Sequence, residues 1–63
     1  MLQQNKRLLS REEVEKIYGI RKRFLEVARS RGEGPRIVQV GRLVRYRAND
    51  IEAWIEANTI LGS

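Results

Sequence analysis

Residues 20–32, IRKRFLEVARSRG, form the stretch around which the rest of the chain is arranged. On a helix, at about 100° per residue, its apolar and polar residues separate onto two sides: Phe24, Leu25 and Ala28 on one, and Lys22, Arg23, Glu26 and Ser30 on the other. The apolar side predicts contact with a core, and the basic side suits an anionic partner, with DNA as the first candidate. A solvated amphipathic surface helix fits this segment equally well, so the neighbouring segments of the sequence must distinguish the two interpretations.

The chain has 63 residues and contains neither cysteine nor histidine. A chain of this size forms one small core and buries only about 60% of the surface that its unfolded form exposes. The missing residue types remove disulfides, the usual zinc ligands, thiol nucleophiles and imidazole acid–base chemistry. We therefore expect no cofactor, no metal ion and no catalysis. Because no apolar run approaches ~20 residues and no signal-peptide pattern opens the sequence, we expect a soluble cytoplasmic protein without a membrane partner.

The net charge of +5 is distributed unevenly along the chain. Residues 21–47 contain nine basic and two acidic residues, a local charge of +7, whereas residues 1–20 sum to +1 and residues 48–63 to −3. Such segregation creates a one-sided field that attracts a polyanion, and solubility alone does not require it. The charge pattern therefore favours a nucleic acid as the partner of the middle of the chain.

A first helix is predicted over residues 11–18, because its start is marked by two independent signals. Ser10 and Glu13 have the spacing of a reciprocal capping box, in which each side chain bonds the other residue's backbone amide. Leu9 and Val14 have the spacing of a hydrophobic staple across the same turn. The two signals together predict that the helix begins directly after Ser10.

The junction between the two helices is short. Gly19 is predicted to end the first helix in the left-handed conformation, which leaves only about three residues before the basic helix and predicts a helix-turn-helix corner. The basic helix starts at Arg21, which provides no side-chain cap and places positive charge at the positive end of the helix dipole. A bound phosphate would compensate that charge. The alternative is a slightly unstable helix.

The sequence RIVQVGRLVRYR, which follows Gly34 and Pro35, predicts a β-hairpin with one of two registers. In the first, Gly41 and Arg42 form a two-residue II′ turn and Gln39 lies opposite a valine. In the second the loop is one residue longer, and four apolar side chains share one face: Val38, Val40, Val44 and Tyr46. We favour the second, because a one-residue slip would disrupt a whole face. Arg42 stands at the tip in both.

The last helix is predicted to begin at Asp50, because Asn49 and Glu52 repeat the capping-box spacing. The apolar periodicities of the three helices and the hairpin give the following predicted core: Leu9, Val14, Ile17, Tyr18, Ile20, Phe24, Leu25, Ala28, Val38, Val40, Val44, Tyr46, Ile51, Trp54 and Ile55. Residues 1–7 and 59–63 are predicted to be flexible, which leaves residues 8–58 as one domain. Its architecture is helix, helix, two-stranded wing, helix.

Four motifs in this order and spacing are characteristic of a known fold: Gly34-Pro35, Val40-Gly41-Arg42, Arg45-Tyr46-Arg47 and Asp50-Ile51-Glu52-Ala53-Trp54. Over residues 8–57 the chain resembles the small excisionase and AlpA-like proteins of phages and integrated elements, which share a winged-helix DNA-binding fold with MerR-type regulators. The resemblance implies a small α+β, winged helix-turn-helix protein. It also implies that the second helix enters the major groove, while the wing reaches an adjacent minor groove or the phosphate backbone.

The resemblance assigns site residues position by position. The groove-facing set is Arg21, Lys22, Arg23, Glu26 and Ser30, and Arg42 corresponds to the wing tip. We also predict wing and backbone contacts for the other basic residues of this segment, Arg36, Arg45 and Arg47. Relatives commonly have Ser or Thr where this chain has Arg21, and some have Thr in place of Phe24, so the phosphate contacts of that turn do not transfer. Arginine can still read guanine in a bidentate manner. Glu26 either accepts from a cytosine amine or pairs within the helix with Lys22 or Arg23.

The leading function is that of an excisionase, a recombination directionality factor that binds and bends attachment-site DNA and helps an integrase. Double-stranded DNA and an integrase are the expected partners, and copies on DNA are expected to meet head to tail through Ile60-Leu61 and the oppositely charged ends. A transcription regulator of the same fold needs the same surface. Many such regulators carry a long dimerisation helix, which the sequence pattern of these 63 residues does not predict, so we expect an architectural protein. A protein-interaction adaptor for a recombinase is the alternative from another class.

Overall fold

A computed structural model describes residues 7–60, so the predictions for residues 1–6 and 61–63 lie outside the described part. Its elements are β1 (Leu8–Leu9), α1 (Arg11–Tyr18), α2 (Lys22–Ser30), β2 (Val38–Val40), β3 (Leu43–Arg47) and α3 (Ala48–Ala57). The strands form an antiparallel sheet in the order β1-β3-β2. The predicted helix, helix, hairpin, helix order of a winged helix-turn-helix is confirmed. Within residues 7–60, no helix is long and apolar enough to cross a membrane.

Both ends of α1 are as predicted. The Ser10 hydroxyl accepts a hydrogen bond from the Glu13 N–H at 3.2 Å, and the Glu13 carboxylate accepts one from the Ser10 N–H at 2.9 Å. Gly19 ends the helix with φ at +77°, and its N–H donates to the Glu15 carbonyl. Only residues 19–21 separate α1 from α2, so this cap fixes the corner between the two helices.

The Glu13 carboxylate should make part of the stability of the domain depend on pH. The hydrogen bond from the Ser10 N–H, helped by the charge of Arg7, lowers the pKa of Glu13 below its ordinary value of 4.5. Because the folded pKa is depressed, this stabilisation is complete above the unfolded pKa and is lost as pH falls through the folded pKa. We therefore expect wild type to exceed Glu13→Gln in free energy of unfolding at pH 7, and the difference to shrink as the pH falls below 4.5 and through the folded pKa. Urea titrations at a series of pH values measure the difference, and a difference that stays constant would refute the assignment.

The hairpin adopts the two-residue turn, so the register that the sequence favoured is wrong. Val40 pairs with Leu43 and Gln39 with Val44, while Gly41 has φ at +61° and Arg42 does not have a positive φ. Paired residues point to the same face of an antiparallel sheet, so Val44 shares the inner face with Gln39. The short turn therefore leaves Val40 on the outer face, where it was predicted to be core.

A third strand, β1, was not predicted. Leu8 and Leu9 pair with Arg47 and Tyr46 of β3. Two residues are too few to show an alternating pattern, so the sequence carried no signal for this strand. The pairing places Leu9 beside Tyr46, and both are buried.

The predicted start of α3 is also wrong, because the helix begins at Ala48, directly after β3. Arg47 is its N-cap residue, in an extended conformation and without a side-chain cap, and Asn49 lies inside the helix. Pairing with β1 holds Arg47 in the extended conformation, so the helix starts at the next residue. An ion pair of 3.6 Å between Arg47 and Asp50 spans this first turn.

The core is smaller than predicted. Its buried apolar residues are Leu9, Val14, Leu25, Ala28, Tyr46 and Ile51. Tyr18, Ile20, Ile37, Val44 and Ala48 pack against the core cluster and are half-buried, as are the predicted core residues Val38 and Trp54. Four residues predicted to be core are exposed instead: Ile17 (57%), Phe24 (49%), Val40 (50%) and Ile55 (37%). A chain of 63 residues cannot cover both flanks of each helical apolar stripe, so the residues at the edges of the stripes remain in contact with water. Phe24 covers Trp54 instead, with ring centroids 5.9 Å apart.

Candidate nucleic-acid interface

The rotation of α2 about its axis is set by two residues. Leu25 and Ala28 are 1% and 5% exposed, so they fix which side of the helix faces the core. The opposite side presents Arg23 and Ser30, which are exposed, and Glu26, which is half-buried. The Ser30 hydroxyl donates to the Val27 carbonyl at 2.8 Å. The structure therefore places these three predicted groove-facing residues on one outward arc.

An open cleft of about 240 Å³ brings α2 and the wing together. Lys22 and Glu26 of α2 line it on one side, Arg42 and Arg45 of the wing line it on another, and Arg11 of α1 also contributes. Cationic side chains from three elements thus border a single concave surface. Such an arrangement focuses positive potential along one side of the molecule and suits a polyanion that can touch a helix and a hairpin at once.

Lys22 of α2 forms an ion pair with a carboxylate of α1. The Lys22 ammonium lies 3.1 Å from the Glu12 carboxylate. Their hydrogen bond lowers the pKa of Glu12 and raises the pKa of Lys22. Among residues 7–60, Glu26 makes no salt bridge, but its charge also contributes to the raised pKa of Lys22. Lys22 reaches an external anion only in competition with Glu12.

Arg21 stands at the start of α2, as predicted, and its side chain makes no capping hydrogen bond. Its backbone is extended, with φ at −63° and ψ at 136°, and the residue is exposed. The first amides of α2 therefore lack a side-chain acceptor and lie next to the basic side of the domain.

The predicted wing arginines differ in their exposure and in whether their guanidinium groups already have a partner. Arg42 is exposed at the tip of the turn, and Arg36 is exposed ahead of β2. Arg45 is half-buried and donates to the Val44 carbonyl at 2.9 Å. Arg47 is exposed but pairs with Asp50. The structure brings Arg42 and Arg45 to the cleft, whereas Arg36 lies at a second concavity, beside the end of α2.

Residues 8–59 match the family model described as a helix-turn-helix domain. The chain belongs to this family. No curated protein and no solved structure matches the chain. The match makes this a DNA-binding helix-turn-helix domain, in which α1 and α2 are the two helices and Gly19 forms the corner between them.

Two basic side chains of the helix-turn-helix domain that the sequence analysis did not assign to the site, Arg29 and Arg11, contact the wing. Arg29 is exposed on α2, and its guanidinium reaches the Gln39 side chain of the wing at 3.5 Å. Arg29 follows Lys22 by seven residues, a spacing that places both on the same helix face, and this spacing could have identified Arg29 as a site residue. Arg11 lines the cleft and donates to the buried Tyr46 hydroxyl at 3.3 Å. The sequence carried no signal for that long-range contact.

Among the residues that the structure describes, metal-ligating side chains are not grouped. Within residues 7–60, no cluster of three or more acidic side chains could hold a metal ion. The carboxylates around the cleft, Glu12 and Glu26, lie among basic side chains. The chemistry of the cleft is therefore that of anion recognition through guanidinium, ammonium and backbone N–H groups.

Proposed function

We propose that this helix-turn-helix domain is an excisionase, a recombination directionality factor that binds and bends attachment-site DNA and promotes integrase-mediated excision of a phage or mobile element. The observation that carries the proposal is the shared cleft, which Lys22 and Glu26 of α2 line together with the wing arginines Arg42 and Arg45. Glu26 also belongs to the outward arc of α2, so the cleft borders that arc. A helix that enters the major groove and a hairpin that reaches the next groove need this relative placement. The resemblance of residues 8–57 to excisionases supplies the biological role. The protein then acts on DNA in the bacterial cytoplasm.

The residues take distinct roles on the DNA. Arg23 is exposed at the centre of the outward arc and reads a guanine through its O6 and N7 atoms. Glu26 accepts from a cytosine amine, and Ser30 contacts the groove further along the helix. Arg21 and the uncapped amides of α2 bind a phosphate. Arg42 and the other wing arginines bind the backbone and position α2.

Contacts between copies follow from the charges at the two ends of the fold. Residues 48–60 carry Asp50, Glu52 and Glu56 and no basic residue, whereas the wing is basic. An acidic α3 facing the basic wing of the next copy makes a head-to-tail contact, which forms an open row along DNA rather than a closed dimer. Ile60 is 79% exposed and available to such a contact, and its predicted companion Leu61 lies outside the described residues. Glu52 and Glu56, which are exposed on α3, are also available to an integrase.

A transcription regulator and a recombinase adaptor are the competing functions, and one experiment separates them. The protein is footprinted on both flanks of its own element's attachment sites, with and without the integrase. An excisionase protects repeated sites beside the attachment site and extends the integrase footprint. A regulator protects promoter DNA and leaves the integrase footprint unchanged, and an adaptor protects no DNA by itself. Either of the last two results would overturn the proposal.

A further inference from the structure

The tip of the wing carries two apolar side chains that the core does not use. Val40 and Leu43 are directly paired across the two-residue turn, and they are 50% and 53% exposed. The buried residue of β3, Tyr46, faces the other side of the sheet together with Val44. Val40 and Leu43 therefore lie on the outer face of the hairpin, and packing in the core does not account for them.

Strand formation alone does not account for this pair. Valine is a good strand former, but leucine is less strongly enriched in strands than β-branched and aromatic residues, and a two-residue turn is specified by its glycine. An exposed hairpin tip has the most water contact of any part of a wing. Two large apolar side chains at that place suit a surface that is covered when the partner is bound.

The surroundings of the pair identify the chemistry of that partner. Arg42 is exposed in the turn that joins Val40 to Leu43, and Arg45 lies two residues after Leu43 on the same strand face. Gly41 has no side chain, so Arg42 alone extends from the turn itself. The tip thus combines carbon surface on its outer face with guanidinium groups beside it. The minor groove of DNA, about 6 Å wide, offers the complement, with deoxyribose carbons on its walls and phosphates along its rims.

We infer that Val40 and Leu43 pack against the deoxyribose walls of the minor groove when the wing docks, while Arg42 meets the phosphates or the groove floor. This contact rests on the proposed DNA-binding function and adds to it. It gives the wing a part of its affinity that does not depend on counterion release, and so persists at salt concentrations that weaken the arginine contacts.

The test compares variants in titrations of duplex DNA over a range of salt concentrations. Val40→Ser/Leu43→Ser should bind about tenfold more weakly at every salt concentration, because it loses apolar burial, with an unchanged log–log slope. Val40→Thr keeps the β-branched shape and should show a smaller loss in the same direction. Arg42→Ala should instead reduce the slope by about 1. Hydroxyl-radical footprinting of the double variant should show loss of sugar protection at the wing site, with the α2 site still protected.

The matched control is Ile17→Ser, which removes a side chain of similar exposure (57%) from α1, outside the cleft. It should bind DNA like wild type, and the thermal midpoints of all variants establish that the fold is intact. If the double variant binds DNA as tightly as Ile17→Ser does, the inference is overturned. The same result is expected if Val40 and Leu43 contact a protein partner instead of DNA. A wild-type protein that fails to bind duplex DNA would instead refute the proposed function itself, so the two failures are distinct.

Discussion

The affinity for duplex DNA should fall by about 500-fold when salt rises from about 50 to 200 mM. This value follows from neutralisation of about five phosphates, which gives a log–log slope of −4 to −5 on B-DNA. The physical basis is the local charge of +7 over residues 21–47, together with the exposed positions of Arg21, Arg36 and Arg42. Lys22 should add little to the slope, because its ammonium is already paired with Glu12.

Fluorescence anisotropy with a labelled duplex measures this slope. A single-stranded oligonucleotide of the same length serves as the control, since its lower charge density gives a slope of about −0.7 per phosphate contact against −0.9 for the duplex. A duplex slope near zero would contradict DNA binding through the basic cleft. It would then favour a protein partner for the same surface.

Arg23→Ala should weaken binding to the specific site by about 1 to 3 kcal/mol and relax the preference at one or two base pairs. The reason is its position opposite the buried Leu25 and Ala28, from which the guanidinium points away from the core. Arg42→Ala at the wing tip should weaken specific and random DNA to the same extent, because a phosphate contact carries no sequence information.

Binding of both variants to the specific site and to a random duplex, at one fixed salt concentration, separates reading from positioning. Arg42→Ala is the matched control, since it removes the same side chain from another exposed position. Equal losses on the two duplexes for Arg23→Ala would show that α2 does not read bases. The cleft would then bind the backbone only.

Local signals in the sequence were sufficient for α1 and its corner. The Ser10 and Glu13 pair and Gly19 act within a few residues, and the structure confirms each of them. Local signals were not sufficient to predict the hairpin register, because the register depends on what packs against each face of the sheet. The favoured register maximised apolar clustering within the hairpin, whereas the structure places Gln39 on the inner face, where it reaches Arg29 of α2.

The start of α3 shows a competition between a local signal and a tertiary one. Asn49 and Glu52 had the right spacing for a cap, but pairing of β3 with the unpredicted β1 fixes the chain through Arg47 and starts the helix earlier. Site residues on α2 were more predictable, since one helix period determines which side chains face outward. The pairing of Lys22 with Glu12 joins two helices, and no spacing rule within α2 could reveal it.

The direct passage from β3 into α3 has a mechanical consequence. Strand β3 (Leu43–Arg47) and helix α3 (Ala48–Ala57) follow one another without an intervening loop, and an ion pair between Arg47 and Asp50 spans the boundary. The hairpin and the last helix are therefore joined without a flexible linker. In the proposed complex, docking of the wing tip on DNA therefore also sets the direction in which α3 leaves the DNA. The recombinase of the proposed function would then meet α3 in a direction that is fixed at Arg47, where the strand becomes a helix.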